Sequence, residues 1–449
     1  MAKPIKKEPV MSVKGMHDIM FDDVHYVERV MKEVRRVAEF YGFQPITTPH
    51  LEKTELFERP LGEESDVVEK QMYNLRTRGG DKLSLRPEGT ASVMRAYFEH
   101  GMQSLPQPVK LVYGGSFFRH ETPQQGRFRE FRQVGVEIIG DDDAINDAIS
   151  IRVLFSALQG LGLKDIVINV NSLGDRVCRP AFRKELLAYY KRHFNQLCKD
   201  CKQRFKDNPL RLLDCKEETC VALRKDAPQM MDHLCEVCKK HFSEVLEYLD
   251  EMGIPYFLDV HLVRGFDYYS KTVFEVFEIM SPPQVVEEGD EQGVKPEVAT
   301  FTKIALGGGG RYDDLGELIG NRKIPAVGWA LGVDRVAELM KKKSIKSRPE
   351  THPKLFLIQL GPAAKKKSLV LMEELRKIGV PIAHSLSKDS LRAQLNIVSK
   401  LEIPLAVILG QKEALDGTVG VRSMETGIQE TLPMDKFIGT IKARLKEFS

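Results

Sequence analysis

No apolar run in the 449-residue chain approaches the roughly 20 residues that span a bilayer, so no membrane partner is expected. The first fifteen residues, MAKPIKKEPVMSVKG, are basic but lack an apolar core. They read as a short flexible tail and not as a secretory signal, and the expected location is cytoplasmic. Net charge is also nearly absent. The 67 Lys+Arg and 64 Asp+Glu leave +3, too little to argue for nucleic acid by itself. The small excess is uneven: residues 354–449 hold 15 Lys+Arg against 10 Asp+Glu, net +5, leaving −2 for the remainder. A basic C-terminal unit suits phosphates, although a solvated helix face carries the same charge. Cysteine is missing everywhere except residues 178–238, which hold all seven. Disulfides are not expected in a cytoplasmic protein.

What remains is an ordinary soluble composition, 42% hydrophobic and 29% charged, in a chain long enough for two or three domains. Its most informative stretch is 114–140, GGSFFRHETPQQGRFREFRQVGVEIIG. Two runs of alternating character flank the polar segment 122–126, the pattern of a β-hairpin. Period two puts Phe117, Arg119 and Glu121 on one face. On the second run Phe131, Gln133, Gly135, Glu137 and Ile139 share a face, opposite Val134, Val136 and Ile138. A carboxylate between Val136 and Ile138 is costly to bury unless a cation or donor meets it. One such residue would read as a structural ion pair. Arg119, Gln133 and Glu137 together point to a ligand pocket.

Helices are expected over 22–41, stopped by Gly42, over 91–100 and over 143–161. IVINVNSLG reads as a strand, and Pro45 and Pro49 bracket a short extended piece, ITT. Residues 175–251 are helix-rich and charged, and read as an insertion. Strands resume at 257–262 and 272–279, and the acidic segment 284–298 reads as an exposed loop. AVGWALGVDRVAELM reads as a glycine-punctuated helix. Beyond a basic linker, strand and helix alternate as a small α/β unit with a parallel sheet, ending in a hairpin-like VGVRSMETGIQETLP.

Three clusters mix arginine, glycine and hydrogen-bonding side chains: LRPEGTA with the hairpin, LVRGFDYYSKTVFEV, and GGGGRYDDL with GWALGVDRV. The guanidinium binds two oxygens at once, so these favour an anionic, phosphate-bearing substrate. Glycines 307–310 would let backbone approach a ligand or would equally make a bulge. Arg264 and Arg311 would alternatively be surface residues.

These segments resemble the histidyl-tRNA synthetases, a family of class II aminoacyl-tRNA synthetases. YGFQPITTPHLE is similar to motif 1 of that class, FRHE with RFREFRQVGVEIIG to motif 2, and GWALGVDRV to motif 3. LVRGFDYYSKTVFEV and GGGGRYDDL resemble the two histidine-specific motifs, and LRPEGTA the amino-acid-binding loop. The resemblance implies an α+β catalytic domain with an antiparallel sheet flanked by helices, a helical insertion, and a C-terminal α/β anticodon-binding domain. The implied boundaries are 1–174 and 252–340 for the two catalytic parts, 175–251 for the insertion, 341–353 for a linker and 354–449 for the anticodon-binding domain.

The implied reaction joins histidine and ATP, with Mg²⁺, into histidyl-adenylate, then transfers the histidyl group to tRNA(His). Glu88 and Thr90 would hold the α-ammonium of histidine, with Gln133 nearby. Glu137 and Tyr269 would bracket the imidazole, and Tyr268 and Tyr312 would line the pocket. Arg119 would bind the ATP α-phosphate, Arg264 would act on the same centre from the other side, and Arg335 would meet the γ-phosphate. Pro49 would lie at a homodimer interface. Arg127 and Arg129 would touch the acceptor stem. No editing domain is visible, consistent with a pocket whose polar groups reject isosteres.

Two CxxC pairs, Cys198/Cys201 and Cys235/Cys238, with 33 residues between them, fit a tetrahedral structural zinc site, with Cys215 or Cys220 as substitutes. Ordinary reduced thiols are the alternative. Among rival functions, the catalytically inactive synthetase paralogue of histidine biosynthesis lacks the arginine motif and C-terminal domain that this chain carries. A synthetase for another amino acid would lack the histidine segments, and a zinc-dependent nucleic-acid-binding protein leaves the other motifs unexplained.

Overall fold

Apolar residues at helical spacing build α1 (Asp22–Phe40), which buries Val30, Val34, Val37 and Ala38 and places Asp22 and Asp23 in its first turn. It stops where Gly42 takes a left-handed φ of +84°. The computed structural model describes residues 10–62, 67–122, 128–279, 303–347 and 353–445. The expected loop 284–298 and Arg127 lie outside them.

After β1 (Gln44–Pro45) come β2 (Leu51–Lys53), α2 (Glu55–Leu61), β3 (Asn74–Arg76), β4 (Lys82–Leu85) and α3 (Thr90–Glu99). The hairpin follows as β5 (Val109–Phe118) and β6 (Glu130–Ile139). Next are α4 (Ala144–Gly160), capped by the Asp143 carboxylate accepting from the Ile145 N–H, and β7 (Ile166–Ser172). Helices α5 (Arg179–Arg192), α6 (Lys199–Asp207), α7 (Glu218–Arg224) and α8 (Glu236–Glu251) lead to β8 (Tyr256–Leu258) and β9 (Ser270–Ile279). The unit closes with β10 (Lys303–Arg311), α9 (Leu315–Gly320), β11 (Ala326–Gly332) and α10 (Val333–Lys342).

Eight strands form one sheet in the order β1-β5-β6-β11-β10-β9-β7-β8. The outer pairs β1/β5 and β7/β8 are parallel and the five between are antiparallel. Val134, Val136 and Ile138 of β6 face a core shared with α1, α4, α8 and α10. The opposite face packs with α2, α3 and α9. Helices therefore cover both faces, and the apolar alternation of β6 selects which face holds its charges. A third core, built on Phe182, Leu186, Tyr190 and the cysteines, belongs to the segment after β7. Its last helix, α8, turns Phe242, Val245 and Leu249 into the sheet core instead.

Three local expectations change. AVGWALG is a strand, not the start of a helix. Val327, Trp329 and Leu331 enter one core while Gly328, Ala330 and Gly332 form the other face, and a run this short does not distinguish the two periods. Of the extended piece around ITT, Gln44 and Pro45 form the strand and Ile46 adds an N–H donated to the Val112 carbonyl (2.9 Å). The strand at 257–262 shrinks to Tyr256–Leu258, because Asp259 turns the chain and accepts from Asn169 Nδ2 (2.8 Å).

The chain divides into two compact units, Met1–Ser347 and Arg348–Ser449. The second contains β12 (Leu355–Gln359), α11 (Pro362–Lys377), β13 (Ile382–His384), α12 (Leu391–Lys400), β14 (Leu405–Leu409), α13 (Gln411–Asp416), β15 (Thr418–Ser423), β16 (Gln429–Pro433) and α14 (Met434–Leu445). Its sheet runs β13-β12-β14-β15-β16: the first three strands are parallel and the hairpin strands join antiparallel, so the sheet is mixed. Among the described residues no helix is long and apolar enough to cross a membrane.

Candidate active site

On the charged face of the sheet, Glu137 is fully buried. Its Oε1 accepts from Thr90 Oγ1 (2.8 Å), and its Oε2 accepts from the Tyr312 hydroxyl. Gly328 stands directly across the β6/β11 ladder, and a β-carbon there would overlap Glu137 Oε2. Burial pushes the Glu137 carboxyl up to about 8, against the pull of the Tyr312 and Thr90 hydroxyls.

Thr90 opens α3. The Glu88 carboxylate caps that helix, accepting from the backbone N–H of Thr90 (2.6 Å) and Ala91 (2.9 Å). Burial raises the Glu88 pKa, and these two N–H groups oppose the rise. The LRPEGTA loop is thus held by its own helix start. Arg86 of the same LRPEGTA segment was not singled out by sequence. It is buried, donates to the Ser116 and Thr48 carbonyls (both 2.9 Å) and stacks on Phe117 at 4.4 Å, fastening the loop to β5.

A cleft of about 680 Å³ lies above this chain of hydrogen bonds and is lined by Glu88, Thr90, Arg119, Gln133, Arg264, Tyr268, Tyr269 and Arg335. Such a volume holds a nucleotide-sized ligand. Glu137 sits one hydrogen bond behind its wall, reached through Thr90, and Tyr312 one bond further back. Glu137 is joined to Tyr312 rather than to Tyr269, whose ring lies 6.4 Å from that of Tyr312.

The two expected catalytic arginines enter the cleft differently. Arg119, just past β5, donates from Nε to the Pro87 carbonyl (2.9 Å), and its guanidinium stands 5.3 Å from the Phe131 ring and 5.7 Å from the Phe266 ring. Burial lowers its pKa, and the nearby Arg264 cation adds to that. Arg264 pairs with Glu275 (3.3 Å), lies over the Tyr269 ring at 5.7 Å, and has a buried Nε without a hydrogen-bond partner. A β-carbon at Gly308 would come within 2.8 Å of Arg264 Nη1, so the glycine run makes room for an arginine of the protein itself. Two half-buried cations in one cleft suit an anionic ligand. Arg335 donates to the Ala305 carbonyl (2.7 Å), and the buried Oε1 of Gln133 has no partner among the described residues.

Arg311 is neither exposed nor in the cleft. It is fully buried against Asp147 and Asp313, so its role is structural. Sequence reasoning missed the pairing of Arg132 with Asp334 (3.1 Å), which ties the hairpin to the start of α10, and the cleft position of Glu275. It also missed Arg204, Arg211 and Lys216, which line the cleft from the insertion. No sequence signal connected them to residues so distant along the chain. Arg129 donates to the Glu121 and Lys14 carbonyls (3.3 and 3.2 Å).

Pro49 borders a separate hollow of about 910 Å³, whose arginines, Arg59 and Arg95, are paired with Glu55, Glu52 and Glu99. Both arginines of that hollow are neutralised by carboxylates, whereas the smaller cleft gathers Arg119, Arg264 and Arg335 around one space.

The single zinc site expected from Cys198, Cys201, Cys235 and Cys238 does not form. Cys198 and Cys201 gather with Cys215 and Cys220, whereas Cys235 and Cys238 gather with Cys178 and Asp175. The two CxxC pairs open different helices, α6 and α8, and the fold separates those helix starts.

The chain is similar to known proteins over nearly its whole length. The histidyl-tRNA synthetase family model matches residues 15–336, and an anticodon-binding-domain model matches 354–444. The histidine–tRNA ligase of Dehalococcoides mccartyi is 41% identical over 434 residues, covering 97% of this chain and 99% of that protein. That of Caldicellulosiruptor saccharolyticus is 37% identical, covering 97% and 100%. The crystal structure of apo S. aureus histidyl-tRNA synthetase is 30% identical and superimposes with a TM-score of 0.76 over 96% of this chain and 99% of that one.

Proposed function

The chain belongs to the histidyl-tRNA synthetase family, and from that premise we infer that it is a histidine–tRNA ligase, an aminoacyl-tRNA synthetase of class II fold with an anticodon-binding domain. It activates histidine with ATP and transfers the histidyl group to the 3′ end of tRNA(His). In the first step a histidine carboxylate oxygen attacks the ATP α-phosphorus and pyrophosphate leaves. In the second a terminal tRNA hydroxyl attacks the acyl carbon and AMP leaves.

The observation that carries the assignment of roles is the pair Arg119 and Arg264 in one cleft whose wall backs onto the Thr90–Glu137–Tyr312 chain. Arg119 and Arg264 stabilise charge on the α-phosphate from two sides, and Arg335 meets the γ-phosphate. Glu88, Thr90 and Gln133 receive the α-ammonium, with the unpaired Gln133 Oε1 as an acceptor. The imidazole lies among Tyr268, Tyr269 and Tyr312 and reaches Glu137 in place of an existing hydroxyl. A site that leaves such polar groups unpaired discriminates against apolar isosteres by about 10⁴–10⁵. ATP is accompanied by Mg²⁺; Glu121 and Glu275 line the same cleft and offer the oxygen donors a hard cation requires.

The enzyme acts in the cytoplasm as a homodimer. Supporting the dimer, the motif 1 segment around Pro49 borders the larger hollow and leaves Leu51 46% exposed beside it. ATP–pyrophosphate exchange with each of the twenty amino acids tests the assignment: histidine alone should support exchange, and exchange with another amino acid, or with none, overturns it.

A further inference from the structure

The seven cysteines divide without remainder into two groups, and one of them is made of sulfur alone: Cys198, Cys201, Cys215 and Cys220, in the spacing C-x2-C-x13-C-x4-C. Their four Sγ atoms all lie within 4.8 Å of one another, and Cys198 Sγ is 3.8 Å from Cys215 Sγ. A disulfide needs about 2.05 Å, and all four residues are free thiols. A tetrahedral zinc ion bound at about 2.3 Å from each sulfur sets an edge of about 3.8 Å between sulfurs. Two thiols in simple contact reach the same distance; what a four-thiolate site requires is the gathering of four sulfurs from separate turns within 4.8 Å of one another.

The backbone around the group is arranged for sulfur as an acceptor. The N–H of Cys201 points at Cys198 Sγ and the N–H of Cys198 at Cys220 Sγ, both at 3.4 Å. Such donors meet the negative charge of a metal-bound thiolate. Four protein sulfurs complete a tetrahedron and leave no open position, which is a structural and not a catalytic site.

We propose that Cys198, Cys201, Cys215 and Cys220 bind one zinc ion that fixes the insertion as a wall of the active-site cleft. Cys198 starts α6 and Cys215 follows the short 3₁₀ turn Pro209–Asp214, so the ion clasps both ends of that stretch. Between and just beyond those ends, Arg204, Arg211, Asp214 and Lys216 line the cleft that also holds Arg264 and Glu275. Far from the catalytic residues in sequence, the cysteines are adjacent to them in space. A small helical segment with few regular hydrogen bonds gains order from such a clasp.

Zinc content is measured on the full-length wild type and on Cys215→Ser/Cys220→Ser, purified in parallel. The variant is expected to hold one equivalent fewer. Taking the difference removes any metal held by Asp175, Cys178, Cys235 and Cys238. Equal zinc in both proteins, no zinc in the wild type, or iron in its place overturns the proposal. Should the double variant fail to fold, Co²⁺ loaded into the wild type decides. Saturable thiolate-to-cobalt charge transfer with tetrahedral ligand-field bands, reduced in the single variant Cys220→Ser, is expected. A weak octahedral spectrum, or one unchanged by that variant, overturns it. Histidine-dependent exchange plays no part in either reading, so failure here is distinguishable from failure of the functional assignment.

Discussion

The Tyr312 hydroxyl donates to the Glu137 carboxylate across 175 residues of sequence. This bond joins GGGGRYDDL to β6 behind the wall of the cleft, where the proposed function puts the amino acid. Replacing Tyr312 with Phe removes a bond that meets a charged acceptor once bound imidazole has taken the Glu137 proton, worth about 1.5–3 kcal/mol. The KM for histidine should rise about 10-fold or more while that for ATP stays within a few-fold. An unchanged histidine KM in steady-state exchange would place Tyr312 in the core alone.

Glu137 should make histidine binding pH-dependent. With its pKa near 8 and that of free imidazole about 6.5, a neutral imidazole that takes the carboxyl proton binds without net proton change between those values. Above about 8 the carboxyl is already ionised and binding must take up a proton; below about 6.5 histidine arrives as imidazolium and the carboxyl must release its proton to solvent. Calorimetric affinity should therefore plateau in that window and begin to decline near 8. Glu137→Gln should bind more weakly throughout and lack that decline. For folding, a carboxyl whose native pKa exceeds its unfolded value of 4.5 loses stability as pH rises from about 4.5 to 8. The melting temperature of ligand-free Glu137→Gln should exceed that of wild type by a margin that grows over that window and then levels.

Gly328→Ala tests how tightly that carboxylate is held. The new methyl would overlap Glu137 Oε2 and crowd the Val136 carbonyl, an overpacking cost of about 1–3 kcal/mol. The variant should fold with a lowered melting temperature and lose at least about 100-fold in kcat/KM for histidine. Normal kinetics would show that Glu137 can shift freely.

Arg264→Ala should cut exchange by about 10²–10³-fold, as expected for a lost charge stabiliser, while histidine affinity changes little. Near-normal exchange would remove Arg264 from the chemistry, leaving only its ion pair with Glu275.

Arg311→Ala should act on stability instead. It strands Asp147 in a fully buried site, at a cost of about 3–5 kcal/mol by urea denaturation. Arg311→Met with Asp147→Leu should recover much of the loss. Full stability in the single variant would mean that water reaches Asp147.

The local patterns were legible because they are local physics. The two-residue period of β6 put Glu137 opposite Val136 and Ile138, and the apolar spacing of α1 with Gly42 bounded that helix. AVGWALG was misread because seven residues do not separate a buried strand from a helix start. The family motifs, read in order, pointed to one chemistry, and the matches over 15–336 and 354–444 agree.

Sequence by itself determined which residues carry charge into an apolar sheet and which motifs accompany them. Tertiary structure alone decided their partners. It gave Glu137 to Tyr312 and Thr90, buried Arg311 on Asp147, and divided the cysteines between two helix starts instead of joining the CxxC pairs. It also brought Lys216 and Cys215 to the cleft of Arg264. The reason is physical: period and propensity act over a few residues, whereas partnership depends on strand order and helix packing, which bring distant segments together only when the core closes.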